Sequence, residues 1–368
     1  MGYSSFEPRR FAHRLGSWLG ADGPDADVVV SCRTRLARNL AAFPFVSKLG
    51  PERAQELCAL VRPLLLEQRI DGETIWVEMP DAAPLVRLLL RERHLVSRDM
   101  APSDPSRQPA PGRAVAFGMD ETVSVMVNEE DHLRLQSISG GFALQQAWDR
   151  VRRLDRDLEG RVDFAHSQRL GYLTGCPTNV GTGLRASVML HLPALGLVRT
   201  ELEKVFAAAQ RTGLAVRGMY GEGSRAAGDF YQISNQVTLG RTEDQLISDL
   251  RALVPAIVDF ERRVRDALVK ERRRYLQDRV DRSLGKLGTA LSMPTEVTLA
   301  HLSDLRLGSC LGLVAALPTH KLDAVAIQIQ KGHVQVLSAD PPVPAEELLE
   351  PSTRDRLRAS YLRSQFGR

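Results

Sequence analysis

The sequence predicts an α+β fold, in which an antiparallel sheet flanked by helices is followed by an all-α C-terminal domain. A chain of 368 residues is too long for one ordinary core and suggests two domains. From about residue 26 to 255, short stretches of period-two alternation are separated by Gly, Pro, Asn and Asp. Later residues carry apolar side chains at helical spacing instead. We therefore predict a first domain over 1–255 and a second over 256–368.

Three segments alternate most clearly, namely 123–127, 184–192 and 231–239. Their pattern predicts strands with one apolar face and one wet face. Helices are predicted at 51–68, 141–158 and 198–212. Another helix is predicted to begin after Thr242, where Glu243 and Asp244 would lie in its first turn. Pro255 should kink or break that helix.

The composition, 43% hydrophobic and 26% charged, is that of a soluble globular protein. No apolar run is long enough to span a membrane, and the N-terminus lacks the apolar core of a secretory signal. The four cysteines form no CxxC pair, which argues against a disulfide framework or a zinc site. We expect a cytoplasmic protein without membrane contact or a protein-built metal site.

The formal net charge of +4 is mild, but most basic residues are arginine. High-G+C coding would produce that bias without any function. No helix-turn-helix pattern is present in the sequence, so we expect no direct nucleic-acid binding. The positions of particular arginines carry more information than the net charge.

Several arginines fall on or beside predicted strands. Arg33 and Arg35 lie two residues apart in "SCRTRLARN", so an extended chain puts them on one face. Arg134 follows the acidic stretch "NEED", Arg185 occupies the polar face of its strand, and Arg217 opens "RGMYGEG". If these strands are neighbours, five guanidinium groups converge and repel one another. A nucleoside triphosphate would relieve that repulsion, because guanidinium groups bind phosphate oxygens bidentately.

Two common classes of phosphate-binding enzyme are excluded, since the sequence has no GxxxxGK[ST] and no HRD or DFG. Four motifs, "SCRTRLARN", "NEEDHLR", "GCPTNVGTGLRAS" and "RGMYGEG", occur in the order found in the phosphagen (guanidino) kinases, and together they resemble that family. The resemblance implies a phosphagen-kinase-like, glutamine-synthetase-like sheet. It also implies ATP as cofactor, with Mg²⁺ held mainly by the nucleotide phosphates, and transfer of the γ-phosphoryl group to a guanidinium nitrogen.

The resemblance further implies that Glu130 and Glu222 hold the substrate guanidinium. A guanidinium has a pKa above about 12 and is a poor nucleophile until it loses a proton. Two carboxylates can orient it and accept that proton. The implied nucleotide-binding positions are Ser31, Cys32, Arg33, Thr34, Arg35, His94, Arg134, Arg185, Ala186, Ser187, Val188, Met189, Arg217, Gly218, Met219, Tyr220 and Gly221.

Some of these assignments have a plain structural alternative. His94 resembles a nucleotide-site histidine but could equally serve the fold, and Cys176 could be the family's reactive cysteine or a small buried thiol. The sequence departs from the family at Cys32, often serine, and at Met189, often histidine in kinases of small guanidines. Both departures put the detailed nucleotide contacts in doubt and leave the carboxylate pair intact.

The substrate class follows from two further features. Metabolite phosphagen kinases carry a helical domain before the first arginine motif, whereas here that motif begins at Ser31, which predicts an open site suited to an arginine on a protein. Near the C-terminus, "RDRLRA" fits the RDxxRA motif of bacterial protein arginine kinases. There the motif forms a pocket for phosphoarginine that regulates activity across a dimer. The motif residues are Arg354, Asp355, Arg358 and Ala359. By itself the stretch could be an ordinary charged helix.

Taken whole, the chain resembles a protein arginine kinase, a transferase with allosteric control. The resemblance implies a homodimer that phosphorylates stress repressors and unfolded proteins. These would be degraded by a Clp-type unfoldase and protease in protein quality control and the stress response. It also implies a zinc-binding activator protein in some bacteria. Two alternatives stay open: a kinase of a free small guanidine, and a catalytically silent regulator that binds phosphoarginine.

Overall fold

The computed structural model describes residues 7–20, 23–70, 72–102, 104, 107–218, 227–314 and 317–367. The strands are β1 (Val29–Arg38), β2 (Thr74–Glu78), β3 (Ala114–Gly118), β4 (Val123–Val127), β5 (Leu133–Gly140), β6 (His166–Ser167), β7 (Gly171–Tyr172), β8 (Leu184–His191), β9 (Leu214–Gly218) and β10 (Phe230–Asn235). The helices are α1 (Pro8–His13), α2 (Ser17–Gly20), α3 (Pro51–Glu67), α4 (Pro84–Glu92), α5 (Leu144–Glu159), α6 (Pro193–Leu197), α7 (Arg199–Arg211), α8 (Glu243–Thr289), α9 (Thr295–Cys310), α10 (Thr319–Gln328), α11 (Lys331–Ser338) and α12 (Pro351–Phe366).

One large sheet forms the centre of the N-terminal part. Its eight strands follow the order β2-β3-β4-β5-β1-β8-β10-β9, and every neighbouring pair is antiparallel. The predicted α+β class, an antiparallel sheet followed by a helical region, is confirmed. The predicted strands at 123–127 and 184–192 match β4 and β8, whereas the third ends at Asn235. The three predicted helices match α3, α5 and α7.

The expected wet face is wrong for β4, because all five of its residues are buried. Ser124 donates a hydrogen bond to the Leu95 carbonyl at 3.2 Å. Met126 belongs to an apolar cluster with Val115 and Phe117 that also includes residues of α4. A second layer therefore covers the face that the alternating pattern assigned to solvent.

The largest apolar cluster lies on the other face of the sheet, between its strands and α3, α5 and α8. It contains Leu36 of β1, Val188 of β8 and Trp148 of α5, all of them buried. The Thr34 hydroxyl donates to the Ala147 carbonyl at 3.0 Å, which fixes α5 against β1. The central strand is thus anchored on one face, and its other face is left for polar side chains.

Helix α8 begins as the sequence predicts. The Thr242 side chain accepts from the Gln245 amide at 3.2 Å, and the Gln245 side chain accepts from the Thr242 amide at 3.0 Å, a reciprocal cap. The helix continues through Pro255, and its residue with non-helical backbone angles is Arg272, at φ −136° and ψ 30°. The domain boundary near residue 255 stays a prediction. In the described part of the chain, no helix is both long and apolar enough to cross a membrane.

A buried ionic network joins the C-terminal helices to the segment that enters β1. The Arg306 guanidinium, 1% exposed, donates to the Asp323 carboxylate at 2.9 Å and to the carbonyls of Ala26 and Asp27 at 2.7 and 2.9 Å. It also contacts Nδ1 of His191 at 3.0 Å. One side chain of α9 therefore holds α10, β8 and the start of β1 together.

We expect Arg306→Ala to lower the free energy of unfolding by about 3–5 kcal/mol, because it leaves the Asp323 carboxylate and the Ala26 carbonyl without their donor. Urea denaturation would measure the loss. The matched control is Arg282→Ala, which removes an exposed ion pair with Asp278 and should cost less than about 1 kcal/mol. Equal losses in the two variants would contradict the structural role of Arg306.

Candidate active site

The predicted arginine cluster is organised around β1. Arg33 and Arg35 are two residues apart in this strand and so share a face. In the pairing with β8, Arg185 lies directly opposite Arg35, and Ser187 lies opposite Arg33. Because directly paired residues of an antiparallel ladder point to the same face, Arg185 joins the first two arginines.

The same rule extends the face across the sheet in both directions. In β5, Gln136 pairs with Arg35, and Arg134 comes two residues earlier. Beyond β8, Gln232 of β10 pairs with Met189 on one side and with Arg217 of β9 on the other. The structure therefore brings all five arginines onto one face, hereafter the arginine face: Arg33, Arg35, Arg134, Arg185 and Arg217.

The other residues assigned to the nucleotide separate into two groups. Ser31, Ser187 and Met189 lie on the arginine face, and Gly218 ends β9 beside it. Four residues point to the opposite face and are fully buried in the core: Cys32, Thr34, Ala186 and Val188. Their side chains do not reach the arginine face. Successive residues of a strand point to opposite faces of the sheet, so the residues between the arginines point into the core. Met219, Tyr220, Gly221 and Glu222 lie outside the described residues.

The arginine face is electrostatically unfavourable by itself. Burial lowers the pKa of Arg33 to about 10, and the charges on Arg134 and Arg185 act in the same direction. Burial and the neighbouring arginines, Arg33 first among them, lower the pKa of Arg35 well below its usual value. Its Nε atom is buried and has no hydrogen-bond partner among the described residues. A group rich in negative oxygens fits this face, since it would supply both charge and acceptors.

His94 borders the same face. Its backbone has φ of 60°, its carbonyl accepts from Gln136 at 2.5 Å, and its ring lies 6.0 Å from that of Trp18. Burial lowers the pKa of His94 to about 3, with Arg33 and Arg35 contributing. The imidazole is therefore neutral at physiological pH, and both a structural role and contact with a nucleotide remain compatible with its position.

The acidic loop 128–132 is held almost entirely by its own side chains. Asn128, at φ 55°, donates to the carbonyls of Ala54 and Gly112 at 3.1 and 2.9 Å. The carboxylate of Asp131 accepts from Asn39 at 2.6 Å and from the Gly175 amide at 2.5 Å. These contacts tie the loop to several other segments of the chain.

His132 and Glu129 complete this support. Nδ1 of His132 accepts from the Leu40 amide at 3.0 Å, so its Nε2 donates to the Pro44 carbonyl at 2.9 Å. Glu129 is buried and pairs with Arg134 at 2.6 Å. Burial alone would raise the pKa of Glu129, but Arg134 and hydrogen bonds from Ser97 and the Glu130 amide outweigh it and lower that pKa.

Glu130 is the member of this loop whose side chain is exposed. Partial burial raises its pKa, and the charges on Asp131 and Glu129 add to that effect, while Arg134 and a hydrogen bond from Cys176 oppose it. An exposed carboxylate of raised proton affinity, next to the arginine face, can grip a cationic group and accept its proton. The sequence left two roles for Cys176, the family's reactive cysteine or a small buried thiol. In the structure Cys176 lies beside the Glu130 carboxylate and is only partly buried.

Sequence reasoning missed the residues that position this loop, among them Asn39 and Gly175. Asn39 directly follows the strand that carries Arg33 and Arg35. A polar residue at the end of that strand could have suggested a role in positioning the loop. Gly175 comes so close to Glu130 that an added Cβ would lie 2.8 Å from the Glu130 carbonyl oxygen. The sequence gives no sign of this contact, because the two residues meet only through the fold.

The RDxxRA motif lies in α12, and its members have different surroundings. Arg358 is 1% exposed and donates to the carbonyls of Ile329 and Met293 at 2.7 and 2.9 Å and to Asp355 at 2.5 Å. Ala359 is fully buried. Arg354 lines a cavity of about 100 Å³ with three cationic side chains from elsewhere, which are Arg87, Arg91 and Lys331. Asp355 and Arg358 therefore have structural hydrogen bonds, whereas the Arg354 side chain borders the cavity.

Two family models match the chain, one after the other. The ATP:guanido phosphotransferase C-terminal catalytic domain matches residues 63–264, and the protein-arginine kinase McsB C-terminal domain matches residues 273–368. Solved structures agree with the fold. A lombricine kinase superposes with a TM-score of 0.56 at 24% identity, covering 68% of this chain and 70% of that one. A duplicated taurocyamine kinase of Schistosoma mansoni gives 0.58 at 25% identity, covering 75% and 41%. The class is thus that of the ATP-dependent guanidino phosphotransferases.

Curated relatives narrow the class further. A protein-arginine kinase of Pelotomaculum thermopropionicum is 40% identical over 353 residues, which are 95% of this chain and 95% of the relative. The protein-arginine kinase of Bacillus subtilis is 39% identical over 354 residues, 96% of this chain and 93% of the relative. The chain therefore belongs to the protein-arginine kinase family, and the family predicted from its motifs is confirmed.

We expect Gly175→Ala to lower kcat/KM for phosphoryl transfer roughly tenfold to a hundredfold, because the new methyl group would displace the Glu130 backbone. Gly285→Ala, where no atom lies within 4 Å of the added carbon, is the matched control and should keep wild-type activity. Steady-state kinetics with ATP would make the comparison. Full activity of Gly175→Ala would show that the position of Glu130 is not critical.

Proposed function

We propose that this chain is a protein-arginine kinase that transfers the γ-phosphoryl group of MgATP to the guanidinium group of arginine side chains in proteins. The observation that carries the proposal is the exposed Glu130 carboxylate, which belongs to a hydrogen-bonded loop next to the arginine face. A site for a guanidinium and a site for phosphates are thereby adjacent, as transfer between the two requires.

The arginine face would hold the nucleotide. Arg33 and Arg35 lie at its centre in β1, and Arg134, Arg185 and Arg217 lie around them. When bound, MgATP supplies the γ-phosphoryl group, and its phosphates carry most of the contacts to Mg²⁺. The arginine side chains hold and neutralise the phosphate oxygens, which is the main protein contribution to phosphoryl transfer. Backbone groups of β8 and His94 would also contact the nucleotide, as the family resemblance implies.

Glu130 would bind the substrate guanidinium and take up its proton. Its charge fixes the orientation of the attacking nitrogen, and its raised pKa makes it a better base than a free glutamate. Glu222 is proposed as its partner on the other side of the guanidinium, on the strength of the family motif. Cys176 donates to Glu130 and is proposed as a positioning residue for that carboxylate.

Substitution at Glu130 tests the catalytic role. We expect the wild-type chain with MgATP to place acid-labile phosphate on arginines of a protein substrate, read by mass spectrometry. Glu130→Gln should lower the rate by at least about a hundredfold, because the amide can neither neutralise the guanidinium nor accept its proton. Nucleotide affinity, measured by titration calorimetry, should stay within about twofold, since Glu130 lies outside the arginine face.

Free arginine in a parallel reaction separates the alternatives. Phosphate on free arginine but not on protein would favour a kinase of a small guanidine. Label on neither, with ATP still bound, would overturn the kinase function and favour a silent phosphoarginine-binding regulator. Wild-type activity of Glu130→Gln would overturn the catalytic assignment.

The pH profile should report Glu130 as well. Its pKa is raised above the usual glutamate value of about 4.3. Because the ionised form is the active one, kcat/KM should be high above that pKa and fall as the pH drops through it. Cys176→Ala removes a hydrogen bond that lowers the pKa, so the midpoint of the acid limb should move to higher pH. An unmoved midpoint would assign that limb to another group.

A second proposal concerns regulation, as the C-terminal motif implies. The cavity lined by Arg354, Arg87, Arg91 and Lys331 concentrates four positive charges and fits a phosphate group. Arg87 and Arg91 belong to α4 of the N-terminal part, whereas Lys331 and Arg354 belong to α11 and α12. A phosphoarginine bound there would bridge the two parts of the chain.

We expect Arg354→Ala to keep basal phosphoryl transfer but to lose the response to added free phosphoarginine. Arg356→Ala, an exposed arginine of the same helix, is the control and should respond as wild type does. Activity assays over a phosphoarginine titration would measure both. An unchanged response in Arg354→Ala would remove this cavity as the regulatory site.

The remaining organisation is proposed on the family resemblance. The catalytic domain, 1–255, would end within α8, and the helical dimerisation and regulatory domain, 256–368, would begin there. A homodimer is proposed, and exposed Leu291 and Val297 in the helical part offer apolar surface for it. A light-scattering mass that stays that of a monomer at all concentrations would contradict the dimer.

We also propose partners for the kinase in the cytoplasm. Its substrates would be stress repressors and unfolded proteins, and it would act with a Clp-type protease and a zinc-binding activator. Reconstituted degradation with and without the kinase would test these partners.

A further inference from the structure

A groove of about 160 Å³ opens beside the acidic loop, and the phosphoryl-transfer reaction proposed above does not use it. Its lining comes from the segment at the start of α3 and from the segment that precedes β3. Most of the lining is apolar and includes Val46, Leu49, Pro51 and Pro111. Phe45, 37% exposed, extends the apolar surface next to Val46.

The groove lies next to the acidic loop that carries Glu130. Asn128 lines it and, through its hydrogen bonds to Ala54 and Gly112, joins both lining segments to the acidic loop. Glu130 follows two residues later, so its Cα lies at most about 7 Å from that of Asn128. Arg113, also in the lining, donates to the Glu129 carbonyl at 3.3 Å. Residues that flank an arginine bound at Glu130 are therefore close enough to reach the groove.

The chemistry of the groove selects its occupant. An apolar side chain entering it would remove apolar surface from water on both sides. The guanidinium of Arg113, held by the carbonyls of Asp99 and Glu129, would repel a lysine or arginine at the same place. An extended polypeptide advances about 3.3–3.6 Å per residue, so the distance from Glu130 to the groove corresponds to about two residues.

We propose that this groove is a substrate subsite for an apolar side chain located one to three residues from the target arginine of a polypeptide. The inference rests on the proposed protein-arginine kinase function and adds a sequence preference to it. Arginines surrounded by apolar residues are mostly inaccessible in folded proteins, because apolar residues are buried there. The subsite therefore favours unfolded segments as substrates.

A pair of peptides tests the subsite. Each carries a single arginine, with leucine within three residues of it in one peptide and serine at the same positions in the other. We expect the wild-type chain to phosphorylate the leucine peptide with a kcat/KM about tenfold higher, the effect of a modest apolar contact. Ala110→Glu puts a charge on an exposed residue of the groove lining and should abolish that preference while leaving the serine peptide unaffected.

Controls separate this inference from the function on which it rests. Leu60→Glu places the same charge on an exposed leucine of α3, outside the groove lining, and should behave as wild type. Val46→Asp is a second groove variant, and urea unfolding confirms that each variant is folded. Equal rates on the two peptides, or an intact preference in both groove variants, would overturn the subsite and leave the kinase function standing. Phosphoarginine on neither peptide would overturn the proposed function, and the subsite with it.

Discussion

Mutual repulsion among four guanidinium groups on one face of a single sheet, those of Arg33, Arg35, Arg134 and Arg185, is the constraint around which the catalytic half of the chain is arranged. Two unit charges 4 Å apart repel by about 1 kcal/mol in water and about 4 kcal/mol near a protein surface. Strand pairing holds the arginines despite this, because β1 lies between β5 and β8 and its opposite face is fixed by Thr34, Leu36 and the helix α5. Core packing on one side thus maintains a surface on the other that is complementary to a polyanion.

The acidic loop shows how neighbours of the same chemistry acquire different roles. Glu129 and Glu130 are adjacent, yet contact with Arg134 lowers the pKa of the first, while partial burial and nearby carboxylates raise that of the second. The side-chain nitrogens of Asn128 and His132 and the carboxylate of Asp131 bond to backbone and side-chain partners. The loop is therefore fixed to its neighbours by hydrogen bonds, and a single exposed carboxylate extends from it.

The helical part is attached to the strand that carries Arg33 and Arg35. Arg306 of α9 binds the carbonyls of Ala26 and Asp27, and the Asp27 carboxylate pairs with Arg262 and Arg265 of α8. Two residues after Asp27, β1 begins. A shift of α8 or α9 would therefore displace the start of β1. This chain of bonded groups gives the proposed regulation a physical route to the arginine face.

The sequence by itself determined the features that local chemistry controls. Period-two alternation placed Arg33 and Arg35 on one face, the pattern at Thr242 marked the start of α8, and the four motifs identified the family. Local patterns could not say that β4 is covered on both faces, because that depends on a distant apolar layer. Nor could they give the physical reason why Glu130 is exposed and Glu129 buried, or why Arg354 lines a cavity and Arg358 is buried. Each of those distinctions rests on which partners arrive from remote parts of the chain, and only tertiary packing decides that.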